Sequence, residues 1–401
     1  MVKSWSYLIA LSTGHMVKHF YQQGILLLIP FVKASLGLTD VQVGLLGTSR
    51  TIFSSAMNIP AGIMADVWRD KISIMLTASL LSLAIGYFLL GVAPNFIVVF
   101  LGIAITGMGT SLWHAPAFGS LAVVYPDRKA TAMAGHRMGG SIGDTLAPFI
   151  IGAILGGISL SFLTTDSIQW ESLSLFMSIP VALCAILVAI FFRNKSSIAG
   201  DSLNINEYFV AVIPLLKNKA VLSMVLLSGI RGMSHNSLSI FLMIYMVEDL
   251  GFGSFTAGFH LSLLTLFGVI SAPIMGMISD RKGRRSIIFF AIASTAILVF
   301  LLIPFGTGLM LTIILALLGA VLYTVNPIML ATALDSANKG TEGSATSLMF
   351  TGAAIFSAFG PVFAGYLKQT YGTMDAVFWF VGIMMTISAI ATLIVPMKTN
   401  Q

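Results

Sequence analysis

The chain has 401 residues, 57% of them hydrophobic and only 9% charged, with 21 Lys and Arg against 15 Asp and Glu and a formal net charge of +6. A mean hydropathy of +0.96 lies far outside the range of soluble globular proteins and predicts a polytopic, all-α membrane protein. The basic excess is accounted for by loops and a few intramembrane cations. No nucleic-acid motif accompanies it, and the single cysteine, Cys184, excludes a disulfide framework.

The first apolar stretch, residues 5–32, carries Lys3 as its flanking charge and has no small-residue cleavage site, so it reads as a retained helix rather than a cleaved leader. Near its middle, His15, Lys18, His19 and Gln22 follow helical i, i+3, i+4, i+7 spacing and share one face. A cation at the bilayer midplane is expensive, so this stripe must look into protein or water.

Apolar runs then predict spans over 41–65, 72–92, 95–124, 130–158, 170–192, 218–247, 254–279, 286–304, 309–335, 342–368 and 374–396, twelve in all. Lys3, Arg69, Lys71, Arg128, Lys129, Arg193, Lys195, Lys217, Lys219, Arg281, Lys282, Arg284, Arg285, Lys339 and Lys398 fall on the side of the termini, against only Lys33 and Lys368 opposite. The positive-inside rule therefore predicts cytoplasmic termini in a cell (inner) membrane protein. Residues 193–217 are the one long polar connection. They divide the chain into a six-helix half over 1–192 and another over 218–401. Repeated spacings support two pseudo-symmetric halves: Gly44 to Asp66 matches Gly258 to Asp280, and Gly139, Pro148 and Gly152 match Gly352, Pro361 and Gly365.

The run Gly276-Met277-Ile278-Ser279-Asp280-Arg281-Lys282-Gly283-Arg284-Arg285 resembles the G-x-x-x-D-R-x-G-R-[RK] loop signature of the major facilitator superfamily. Its first-half counterpart keeps Gly62 and Asp66 with a basic end, but replaces the R-x-G-R core. The resemblance implies the major facilitator fold and a gate in which Asp280, Arg281, Gly283 and Arg284, with Gly276, Gly62 and Asp66, hold helix ends together in one state. The run from Gly143 to Gly152 is similar to the fifth-span motif of the family's antiporters, with Ala147 in the usual glycine place. Ile103 stands where many proton antiporters carry a fourth-span arginine. Gly14-His15, Trp113-His114-Ala115-Pro116 and Gly135 to Gly143 resemble the fosmidomycin-resistance branch of exporters, although His19 replaces the Asp that this branch places four residues after the first-span His. The family's arrangement further implies that the first, fourth, seventh and tenth spans line a cavity, with Lys18 and Arg231 facing each other across it.

Four cations lie at depth, Lys18, Arg50, Arg137 and Arg231, against one carboxylate, Asp144. At about 2.5–3.5 kcal/mol for each central charge, the missing negative charge is most simply a solute that comes and goes. Lys18 and Arg231 read as an anion clamp, with His15, His19, Gln22, Arg50, His114 and His235 as neighbours. Asp144, with His136 and Arg137, reads as a proton or salt-bridge switch. Arg50 and Arg137 read equally as salt-bridge partners of Asp144. Lys18 argues against a metal among the histidines, and no cofactor is expected. His260, Trp5, Trp68, Trp170 and Trp379 read as interfacial residues. The whole reads as a monomeric secondary transporter in the lipid bilayer, moving a small anionic organic solute by alternating access with proton-coupled export. The alternatives are uptake or exchange of a phosphorylated or carboxylated metabolite, or an intramembrane His-dependent enzyme.

Overall fold

The computed structural model describes residues 5–160, 163–193, 210, 213, 215–336 and 342–397. Most of the 193–217 linker and the side chains of Asp66 and Arg69 lie outside the described residues. The helices are α1 (Trp5–Leu36), α2 (Asp40–Val67), α3 (Ile72–Gly91), α4 (Phe96–Val124), α5 (Lys129–Gly156), α6 (Trp170–Phe192), α7 (Lys219–Ile244), α8 (Ser254–Lys282), α9 (Arg284–Phe305), α10 (Gly308–Leu322), α11 (Val325–Ser336), α12 (Glu342–Ser357), α13 (Phe359–Tyr371) and α14 (Asp375–Ile394). The predicted tenth and eleventh spans are each two helices, broken at Tyr323–Thr324 and at Ala358. A short antiparallel hairpin, β1 (Ile158–Leu160) with β2 (Leu163–Thr165), follows α5 where only a loop is predicted, in register Ile158 to Thr165.

Helix starts follow local chemistry. Asn95 accepts from the backbone of Ile97 and Val98 at the head of α4, and Asn218 does the same for Ala220 and Val221 at the head of α7. Thr39 and Gln42 form a reciprocal capping box at the head of α2, with bonds of 3.1 and 2.9 Å. Gly372, at φ 70°, closes α13 by donating its N–H to the Lys368 carbonyl.

Nine helical spans among the described residues are long and apolar enough to cross a membrane, two of them made by the broken pairs α10–α11 and α12–α13. The long helices that fall short are α1, α2 and α7, which carry Lys18, Arg50 and Arg231. Their polar stripes lower the average without shortening the helix.

The chain divides into two compact units. Unit 1 comprises residues 1–36 and 49–208; in it α1 packs chiefly on α5, and α3 on α4 and α6. Unit 2 comprises 37–48 and 209–401; in it α7 packs chiefly on α12, α9 on α14, and α8 on α10. The first turns of α2 thus group with the second unit, which a division in sequence order does not anticipate.

Candidate functional site

In unit 1 the polar stripe of α1 meets α4 and α5 in a buried cluster. Lys18 is 1% exposed, and its Nζ donates to His114 Nε2 at 2.8 Å and to His19 Nε2 at 3.4 Å. An ammonium has no acceptor, so both imidazoles present a lone pair at Nε2. The proton of His19 therefore sits on Nδ1, which donates to both oxygens of Asp144 at 3.0 Å. Asp144 and Lys18 are thus opposite charges joined through one neutral imidazole. Asp144 pairs with His19 at 3.0 Å.

His15 and His136 extend the cluster. His15 is buried, its Nδ1 donates to the His136 carbonyl at 2.8 Å, and the two rings stack at 4.1 Å. His15 Nε2 has no hydrogen-bond partner. The ligand atoms of His15, His19 and His114 all lie within 4.8 Å of one another, as a metal centre would need. Two of those lone pairs, however, accept from the Lys18 ammonium, so the arrangement is that of a hydrogen-bonded relay.

Small residues make this convergence possible. A Cβ on Gly140 of α5 would stand 2.7 Å from His15 Cε1 and 2.9 Å from His19 Cδ2. A Cβ on Gly14 would collide with the Trp113 ring, which is wholly buried. Trp113, which no sequence signal singles out beyond its place in the Trp113-His114-Ala115-Pro116 run, is the wall that seats α4 on α1. The three segments resembling the fosmidomycin-resistance branch are therefore one spatial cluster.

Gln22 continues the α1 stripe and its buried Oε1 has no partner. Arg50 is half-buried on α2, with its backbone against Gly107 of α4, and Ser54 one turn on bonds Ser111 at 2.8 Å. Arg137 is exposed. Trp170, expected at an interface, is 5% exposed and belongs to the core.

In unit 2, Arg231 on α7 is buried, and its Nε has no hydrogen-bond partner. Among the described residues no carboxylate lies within ion-pair distance of it. His235, one turn on, meets the ring of Tyr323 edge-on at 5.3 Å, at the break between α10 and α11. His260, expected at an interface, is buried instead, because both ring nitrogens find partners, the Thr256 carbonyl at 2.8 Å and the Thr312 hydroxyl at 3.0 Å.

The second-half loop motif is also in unit 2. Gly283, at φ 91°, turns the chain between α8 and α9. Arg284 reaches Asp335 of α11 at 3.0 Å and Asp280 at 3.8 Å, and Asp280 is 71% exposed. Arg281 is exposed and Gly276 half-buried, as is Gly62 in unit 1. Arg285 donates to the carbonyls of Leu393 and Val395 at the end of α14. Asp335 is a partner that no sequence motif marks.

The Major Facilitator Superfamily model matches residues 11–360 and 224–400. This chain belongs to that superfamily. It is 25% identical over 302 residues to the fosmidomycin resistance protein of Escherichia coli (strain K12), covering 73% of this chain and 70% of that protein. It is 27% identical over 380 residues to the multidrug resistance protein MdtG of Enterobacter lignolyticus (strain SCF1), covering 91% and 86%. Its fold is similar to that of an inward-facing bacterial homologue of the human lysosomal transporter Spinster, with a TM-score of 0.78, 16% identity and coverage of 98% and 95%. The chain is a multi-pass secondary transporter, distantly related to those exporters, that moves a small solute by alternating access; it is not an enzyme.

Proposed function

We propose that this transporter carries out proton-coupled export of a small anionic organic solute, through twelve spans arranged six and six, as a monomer with both termini in the cytoplasm. The observation that carries the reading is Lys18: a wholly buried ammonium held by imidazoles, with its counter-charge one residue away on Asp144. Such an arrangement can take up a proton at Asp144 together with an anion at Lys18 with no change in buried net charge, which links the two ions in one state. Arg231 of unit 2 also suits an anion, since its planar fork matches a carboxylate or phosphonate and, among the described residues, no carboxylate lies within ion-pair distance of it.

Proteoliposome flux of fosmidomycin, other phosphonates, carboxylates and a cationic dye, with and without an imposed pH gradient, tests the reading. Anion flux that follows the gradient and disappears in Lys18→Ala and Arg231→Ala is the expected outcome. Flux that ignores the gradient but needs an anion on the opposite side would replace export by exchange. Transport of the dye alone would remove the anion.

A further inference from the structure

From sequence Lys368 is an outer-loop charge. In unit 2 its side chain is 9% exposed, and its Nζ lies 3.2 Å from Glu248 Oε2, 3.6 Å from Asp40 Oδ1 and 4.0 Å from Asp249 Oδ2. Three elements meet at this ammonium. Asp40 opens α2, Lys368 lies in the last turn of α13, and Glu248 and Asp249 belong to a π-turn, Tyr245–Asp249, that extends α7. Successive residues of an α-helix point about 100° apart; the wider π-turn lessens that divergence and lets two neighbouring carboxylates approach one cation.

The cation is one fastening of several, and all of them end at the same place. The Val41 N–H donates to Gln369 Oε1 at 3.3 Å, and the Thr48 hydroxyl donates to the Ala358 carbonyl at 2.6 Å. Gly44 lies against the backbone of Pro361 and Val362. From Ser49 onward the same helix belongs to unit 1. Within residues 40–48, single hydrogen bonds, glycine contacts and an ion pair to unit 2 thus stand beside the buried side chains of Val43 and Leu46. Glu248 and Asp249 are about a third exposed, so water can take over their side of the pairing.

We propose that Lys368 is the pin of a releasable latch, which fastens the first turns of α2 to unit 2 and opens without unfolding that unit. With the pin in place, three carboxylates are held together by one ammonium. Without it, Asp40, Glu248 and Asp249 lose the cation they share, and the hold on α2 weakens. A helix whose two ends belong to different units is where alternating access demands a contact that can be made and broken.

Hydrogen–deuterium exchange on the purified full chain tests this. In Lys368→Met, exchange in residues 40–48 is expected to rise about three- to tenfold, while the interior of α7 and the apparent melting temperature stay unchanged. Lys368→Arg, which keeps the cation, is expected to behave as wild type. A second readout is maleimide labelling of Val43→Cys, a position fully buried here, in a Cys184→Ser background. Labelling is expected to accelerate with Lys368→Met and to slow again when Asp40→Asn is added. Unchanged exchange and labelling in a folded Lys368→Met would overturn the proposal. So would protection lost evenly across unit 2, since Lys368 would then be a structural ion pair and not a latch.

Discussion

Lys18 has imidazole nitrogens where a buried lysine ordinarily has a carboxylate, and its behaviour under substitution follows from that. Lys18→Met fills the volume but removes the charge that Asp144 and His19 are arranged around, so flux is expected to fall to background while the protein remains folded. Wild-type flux from Lys18→Met liposomes would end the clamp reading. Gly140→Ala probes the same cluster from behind. Its Cβ would overlap His15 and His19, so one imidazole must move or α5 must withdraw from α1. The expected cost is about 1–3 kcal/mol of stability, read as a lowered apparent melting temperature, together with impaired transport. At this scale much of the site was legible. Helical spacing put His15, Lys18, His19 and Gln22 on one face, and the charge imbalance singled out Asp144 and Arg231. The wiring was not legible, because which nitrogen of His19 faces Lys18 depends on three helices packing together. Periodicity along one chain segment carries no such information.

Between elements, the loop motif marks Asp280, whereas the shorter ion pair of Arg284 is to Asp335 on another helix. Asp280 is the motif's acidic position, yet it is exposed and 3.8 Å from Arg284, whereas Asp335 of α11 is at 3.0 Å and only 30% exposed. A more buried pair is less screened by solvent. Asp335→Asn is therefore expected to alter the separation of the ends of α9 and α11 more than Asp280→Asn does. Distances between spin labels at those ends measure it, and a larger effect from Asp280→Asn would restore the motif aspartate as the principal partner. All twelve apolar segments appear as helical, since hydrophobic length is a strong signal. The breaks at Tyr323–Thr324 and Ala358 leave that length intact and so left no trace in it. Nor did the Lys368 cluster, in which Lys368 and Glu248 are 120 residues apart.

At the scale of the molecule, the relay makes a thermodynamic demand. With Asp144 ionised, the charge of Lys18 already has a protein counterpart through His19. Protonating Asp144 removes that counterpart and leaves Lys18 to a solute anion, so acid is expected to strengthen anion binding. By reciprocity, anion binding must take up protons to the same extent. Coupling of about 1–3 kcal/mol, typical of linked sites, corresponds to about a 5- to 150-fold tightening between alkaline and acid conditions. Asp144→Asn mimics the protonated carboxyl, so its binding is expected to be tight at every pH, with no proton uptake and no response to a pH gradient. Calorimetry in buffers of different ionisation enthalpy reads the uptake directly, and counterflow confirms that the variant still transports. Equal proton uptake in wild type and Asp144→Asn would place the coupling proton elsewhere, with His235 beside Tyr323 in unit 2 as the next group to substitute. No uptake in either, with binding flat across pH, would leave exchange of one anion for another as the mechanism that a buried lysine among neutral imidazoles can still support.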